Sequence, residues 1–92
     1  MMTIRGIVMS AELVENPSAS GSIEMHLRLQ GVGPTAPRRI IIPYAMLLAD
    51  ETLEPESIAG HAFEADVDEL EPKRWIVSRI SFAARGILRS GD

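Results

Sequence analysis

The sequence predicts a single small domain that is mainly β, with five strands and a short helix between the third and the fourth. The clearest evidence is the stretch Ile23–Gln30, in which apolar and polar residues alternate without an error. Strict alternation is typical of a strand with one face on a core and the other in water. The chain has 92 residues, of which 46% are apolar, and such a chain can bury one core.

Composition and charge exclude several classes of protein. Without cysteine, disulfide scaffolds and thiolate metal sites are excluded. No apolar stretch approaches the roughly 20 residues of a transmembrane helix, and none near the start fits a signal peptide. We therefore expect a soluble, cytoplasmic protein without a cofactor. The net charge is −4, but residues 73–89 contain five basic residues and no acid, so a local basic patch is compatible with an acidic domain.

The first two predicted strands form a hairpin. Residues 3–15 read as a long strand, and Gly6 near its start predicts a bulge or a bend. Residues 16–21 have the composition of a turn. In the second strand, Ile23–Gln30, the odd-numbered residues are expected to face the core and the even-numbered ones the solvent.

The loop at residues 31–37 matches the spacing G-x-G-x-x-A of a dinucleotide-binding turn. That function requires a helix to begin in the loop, so that its N–H groups meet a phosphate. Pro34 and Pro37 interrupt the loop, and the β-branched run that follows at residues 38–42 is typical of a strand. We therefore interpret the loop as a hairpin connection in which two glycines supply positive φ.

The predicted helix is Tyr44–Ala49, directly after Pro43. Its apolar residues lie nearly all round the helix, so we expect it to be largely buried and to close one end of a barrel. Residues 55–60 are predicted to form a single helical turn, with a proline at its start and Gly60 at its end.

Two more strands complete the prediction, at residues 61–67 and 75–82, with an acidic turn at residues 68–73 between them. On the fourth strand, Phe63, Ala65 and Val67 are expected to point inward. On the fifth strand, the residues expected on the inward face are Ile76, Ser78, Ile80 and Phe82. Those expected on the opposite face are Trp75, Val77, Arg79 and Ser81. The domain is expected to span residues 1–83, and residues 84–92 form a tail with a possible short strand at 86–89.

This order of elements resembles the OB-fold, a five-stranded Greek-key barrel. The local match is the helical turn that ends in Gly60 just before the fourth strand. The resemblance covers residues 3–82 and rests on topology, with no diagnostic motif. Another small β-barrel, or a five-stranded α+β roll, is the alternative architecture.

The resemblance implies a binding site, because OB domains usually hold their ligand across the outer face of the second and third strands. The loops after strands one and four, here residues 16–21 and 68–74, would flank it. The candidate ligand-binding residues are His26, Arg28, Gln30, Arg39, Lys73, Arg74 and Trp75. Single-strand binders stack bases on aromatic side chains, and Trp75 is the one aromatic residue placed to do so.

The sequence favours a non-enzymatic binding or assembly module, and three functions remain open. The first is protein–protein interaction or self-association, through apolar residues expected opposite the core. These residues are Val8, Val14, Trp75 and Val77. The alternative is binding of single-stranded nucleic acid through the candidate residues, although acids at positions 68, 69 and 71 would repel phosphate. The third is a small ligand in the mouth of the barrel.

An enzymatic function is not expected. A general base needs an orienting partner, and neither His26 nor His61 lies in a recognisable catalytic motif. The acids at residues 50–71 lack the spacing of a calcium-binding loop, so no metal site is predicted.

Overall fold

The computed structural model describes residues 1–16 and 21–82. In chain order its elements are β1 (Met2–Glu15), β2 (Ile23–Gln30), β3 (Arg39–Ile42), α1 (Tyr44–Ala49), α2 (Pro55–Ile58), β4 (Ala62–Glu71) and β5 (Arg74–Phe82). The mainly β class and the order of the elements are therefore confirmed. The predicted tail at 84–92, its short strand at 86–89 and most of the loop at 16–21 lie outside the described residues.

The five strands form one sheet that closes into a ring, in the order β1-β2-β3-β5-β4. Residues at the start of β1 pair with β4, while the rest of β1 pairs with β2. Every pair is antiparallel except β3 with β5, which run parallel. The order places β3 between β2 and β5, so the outer faces of these three strands are neighbours.

The core fills the ring, and β2 contributes to it as predicted except at Ile23, which is 41% exposed. Met25 and Leu27 are fully buried and Leu29 is 4% exposed. The inward positions of Phe63, Ala65 and Val67 on β4 are also confirmed. These side chains alternate with outward ones because successive residues of a strand point to opposite faces.

The expectation that α1 is largely buried is wrong. None of its residues is buried, and only Met46 and Leu47 pack against the core. Tyr44 and Leu48 are 40% and 65% exposed. A helix of six residues covers the ring with one side only, so its other apolar side chains remain in solvent. None of the helices in the described ranges is long and apolar enough to cross a membrane.

A bulge in β1 changes which residues face the core. Val8 pairs with Leu29 and Ser10 with Arg28, so Met9 is the extra residue. Because one extra residue reverses the alternation, Val8 points inward and is fully buried. The expectation that Val8 lies opposite the core is therefore wrong.

Gly6 is not the site of the bulge, which is one of the two roles predicted for it. A Cβ atom at this position would lie 2.7 Å from the backbone oxygen of Gln30 and 2.8 Å from Val32. A backbone oxygen cannot move aside as a flexible side chain can, so the position requires glycine for close approach of the chain.

A second bulge, in β5, reverses the faces predicted there. Asp66 pairs with Arg79 and Val67 with Val77, which leaves Ser78 as the extra residue. Val77 is consequently 1% exposed, and Trp75 packs partly buried against the core. The prediction that Val77 lies on the outer face is wrong for this reason. The prediction for Trp75 is wrong only in part, because its side chain packs against the core and also lines a surface hollow.

The two connections nearest the candidate site differ from their predictions in detail. β4 continues to Glu71, so only Pro72 and Lys73 form the turn to β5, and the acids at 68, 69 and 71 are strand residues. The loop at 31–37 contains no helix, as expected. Of its two glycines only Gly31 has a positive φ, of 76°.

Candidate functional site

The outer face of β2 and β3 carries two arginines side by side. Arg28 on β2 pairs directly with Arg39 on β3, and Ser10 of β1 lies on the other side of Arg28. Both arginines are exposed. Opposite residues of an antiparallel pair have Cβ atoms about 4.5–5.5 Å apart, so two positive charges are held close together on this face.

Two hollows meet at Arg39. The first, of about 180 Å³, is lined by Ser10, Glu12, His26, Arg28 and Arg39. The second, of about 300 Å³, is lined by Pro37, Arg38, Arg39, Lys73 and Trp75. Arg39 belongs to both hollows, so together they form a continuous path from β1 across β2 and β3 to the β4–β5 turn. Gln30 is exposed at the end of β2, opposite Ile7, and lines neither hollow.

The arginines and the lysine along this path have no ion-pair partner among the described residues. Within residues 1–16 and 21–82, no carboxylate lies within 4.0 Å of the side-chain nitrogens of Arg28, Arg38, Arg39 or Lys73. We call these four residues, together with Trp75, the cation face. Although the whole chain is acidic, this surface therefore offers four positive charges that no described carboxylate contacts within 4.0 Å, while Glu12 lines the first hollow.

Trp75 contributes an aromatic surface to the cation face. The bulge at Ser78 places its side chain partly against the core, while part of it lines the second hollow with Lys73. Packing on one side restricts the orientation of the indole ring. A ring held beside cations can stack on a planar ligand group or lie against a cationic one.

Lys73 lies at the tip of the β4–β5 turn in an unusual backbone conformation. Its φ is +67°, a region that L-residues other than glycine rarely adopt. Pro72 followed by a residue of positive φ is the pattern of a type II turn. The backbone N–H of Lys73 donates to Glu69 Oε2 at 3.1 Å. From this turn Lys73 lines the second hollow.

Arg74 and His26 are both held by a buried carboxylate that the sequence assigned to solvent. Glu24 is 3% exposed, which contradicts the predicted wet position. Arg74 donates from Nη1 to Glu24 Oε1 at 3.2 Å and from Nη2 to Oε2 at 2.9 Å. His26 Nε2 lies 2.9 Å from Glu24 Oε1, and because a carboxylate only accepts, the nitrogen donates.

The Glu24–Arg74 pair spans β3, because Glu24 is on β2, Arg74 is on β5 and β3 lies between them. Ile41 of β3 points to this outer face, pairs with His26 on one side and Ile76 on the other, and is only 6% exposed. An apolar side chain and a carboxylate are thus covered together on the outside of the ring. A bidentate arginine is the group best suited to such a position.

Titration behaviour reflects this arrangement. Burial raises the pKa of Glu24, but hydrogen bonds from Arg74 and His26 outweigh it, so the pKa lies below the usual value of 4.5. The hydrogen bond to Glu24 raises the pKa of Arg74, against the opposing effect of burial. Both groups are therefore charged at neutral pH.

The structure thus brings Arg28, Arg39, Lys73 and Trp75 together on one path and holds His26 and Arg74 on Glu24. It adds Arg38, which is exposed beside Arg39, and Pro37. The sequence could have indicated Arg38, because it directly precedes Arg39, which was predicted to belong to the site. Nothing in the sequence indicates Glu24, because its period-two position predicts solvent exposure.

The described residues contain no group of three or more histidines or carboxylates close enough together to hold a metal ion. Comparison with protein-family models, with curated proteins and with solved structures finds no match for this chain.

Proposed function

We propose that this chain is an OB-type module that binds single-stranded nucleic acid on the cation face, without catalysing a reaction. The ring order, the parallel pairing of β3 with β5 and the helices between β3 and β4 support the OB-type barrel. The face implied by that fold is the one on which the cations lie.

The observation that carries the proposal is the absence of ion-pair partners for Arg28, Arg38, Arg39 and Lys73 among the described residues. Four neighbouring cations repel one another, and phosphates relieve that repulsion. Nucleic-acid affinity arises mainly from arginine and lysine on phosphates, with release of counterions. Their spacing along two strands and one turn suits a polyanion better than a single anion.

Trp75 favours a single strand over a duplex. A base can reach the indole ring only if its own face is free, and the bases of a duplex are stacked on one another. One stacked base contributes about 1–3 kcal/mol. With a single aromatic side chain on the face, we expect modest affinity and little sequence preference.

The chain supplies its own reporter for a test, because Trp75 is its only tryptophan. Titration with an unlabelled oligothymidylate at low salt is expected to quench Trp75 emission. The same length of duplex, and an abasic oligonucleotide of equal charge, are the controls; the abasic strand should bind with much weaker quenching. Absence of binding by the single strand at low salt contradicts the proposal, because that condition favours electrostatic association most.

Self-association is a second candidate, and it now rests on different residues. Val8 and Val77 are core residues, so the patch expected from the sequence does not form. Instead, Leu13 and Ile23 are 53% and 41% exposed at the end of the β1–β2 hairpin. Both line a mainly apolar hollow with Val14. Exposed apolar groups of this kind mark interfaces.

Sedimentation velocity over a range of concentrations tests this second candidate. The wild-type chain is expected to show a concentration-dependent dimer that the variant Leu13→Ser/Ile23→Ser lacks. A strictly monomeric wild type at high concentration contradicts it. Nucleic-acid binding by the double variant should be unchanged, since neither residue lies on the cation face.

A further inference from the structure

We infer that Glu24 is a positioning residue that withholds Arg74 from the ligand, so that the cation face presents four charges and not five. The inference rests on the proposed function. Arg74 lies at the start of β5, next to Lys73 and Trp75 in sequence, and β5 pairs with β3, the strand that carries Arg39. Its charge would otherwise join the cation face.

The geometry shows how the withholding works. Both terminal nitrogens of Arg74 donate to the two oxygens of Glu24, so the guanidinium is held across β3 against a carboxylate of β2. Its side chain is 29% exposed, while that of Glu24 is 4% exposed. A bidentate contact with a buried carboxylate is hard for a solvated phosphate to replace, because Glu24 would then remain buried without its cation and with only the hydrogen bond from His26.

Glu24 acts on His26 in the same way. The ring nitrogen Nε2 donates to the same carboxylate oxygen that accepts from Arg74 Nη1. Two of the seven residues predicted for the site, His26 and Arg74, are therefore held by one carboxylate, although His26 still lines the first hollow. The carboxylate itself lies too deep to touch a ligand, so its effect on binding is indirect.

The salt dependence of binding shows whether Arg74 contacts a phosphate. Each phosphate contact makes the slope of log affinity against log salt steeper by about 0.7 for a single strand. Glu24→Gln removes the charge that holds Arg74. We expect its slope to be steeper than the wild-type slope by about 0.7, which is an additional loss of roughly 2.6-fold between about 50 and 200 mM salt. Glu64→Gln, on β4, makes the same change in net charge away from the face and should leave the slope unchanged.

A second variant keeps the test decisive if Glu24→Gln does not fold. Glu24→Met/Arg74→Met replaces the pair with apolar side chains of similar volume, an exchange that is often neutral for stability, and it preserves net charge. Its slope is expected to equal the wild-type slope, because Arg74 makes no phosphate contact in the wild type. A slope shallower by about 0.7 overturns the inference.

The outcomes also separate this inference from the proposed function. If the wild-type chain does not bind the single strand, the proposed function fails. If it binds, and Glu24→Gln has the same slope as Glu64→Gln, then the function stands and the withholding of Arg74 is refuted.

Discussion

The outside of the ring carries two charged regions built from the same residue types with opposite results. On β1, β4 and β5, Arg79 donates to Asp66 at 2.9 Å, Thr3 donates to Asp66 at 2.6 Å, and Arg5 lies 3.4 Å from Glu64. We call this region the paired face. On the cation face no such partner lies within reach among the described residues. The first region neutralises its own charge, and the second leaves it for a ligand.

Register explains the difference. On the paired face, basic and acidic residues stand directly opposite one another, as Arg5 does with Glu64 and Asp66 with Arg79. On the cation face, Arg28 stands opposite Arg39. Opposite charges across a strand pair stabilise it and like charges destabilise it. A like pair that persists without a partner is a cost to folding, and such costs concentrate where they serve binding.

The largest expected effect is on the free energy of unfolding, when the buried Glu24–Arg74 pair is broken. Arg74→Met should lower the free energy of unfolding by about 3 kcal/mol, because it leaves the buried carboxylate of Glu24 without its cation. Arg79→Met, on the paired face, removes an arginine that is 49% exposed and should shift the urea midpoint far less. Equal shifts in the urea midpoint for the two variants would show that the buried carboxylate of Glu24 does not depend on Arg74.

Two double variants of equal net charge separate the contributions of the cation face and the paired face to nucleic-acid binding. Arg28→Gln/Arg39→Gln and Arg5→Gln/Arg79→Gln both change the net charge from −4 to −6. The first should weaken binding of a labelled single strand at low salt by about tenfold or more, since charge-assisted contacts to phosphate are lost. The second should change it little. If both weaken binding alike, net charge and not the cation face controls association.

A smaller effect is expected at the β4–β5 turn. Lys73→Gly should raise the free energy of unfolding by about 0.5–1 kcal/mol, because glycine adopts positive φ without the steric cost that lysine bears. The same variant should weaken binding severalfold through loss of one cation. Lys73→Gln is the matched control: it should weaken binding equally without the gain in stability, as measured by urea unfolding.

The smallest expected effect is a loss of folding stability at low pH, to which one carboxyl group in each region contributes. Hydrogen bonds from Arg79 and Thr3 lower the pKa of Asp66, and those from Arg74 and His26 lower that of Glu24. A carboxyl whose folded-state pKa is lowered adds stability above its ordinary pKa and loses it as pH falls through the lowered value. Stability should therefore fall below about pH 4.5.

Two variants show how much of the stability lost at low pH comes from Glu24 and how much from Asp66. Glu24→Met/Arg74→Met should make the decline in unfolding free energy shallower than in the wild type. Asp66→Asn should do so to a lesser degree, because Asp66 lies nearer to solvent. Urea unfolding at several pH values measures both, and an unchanged decline in the first variant would contradict the role given to Glu24.

The fold was largely predictable because its signals are local. Strict alternation located β2 to the residue, and Pro43 preceded the helix as expected. Single-residue bulges at Met9 and Ser78 were not predictable, since an extra residue reverses the inward face without any change in composition. These two bulges account for the misassigned faces of Val8 and Val77 and for the partial burial of Trp75.

The candidate site was predictable in part. Positions on one strand pair follow from alternation, so the sequence correctly indicated that Arg28 and Arg39 share a face. It could not indicate that Arg74 reaches Glu24 fifty positions away, because that contact depends on ring closure through β3. The pairing state of a cation is a property of the closed structure and not of the local pattern.

The salt dependence of oligonucleotide binding by the wild-type chain tests the central claim most directly. If the four cations of the cation face all contact phosphates, log affinity should fall against log salt with a slope of about −2.8. A slope near zero, or no measurable binding at low salt, would contradict the account, because the unpaired cations would then have no polyanion to bind.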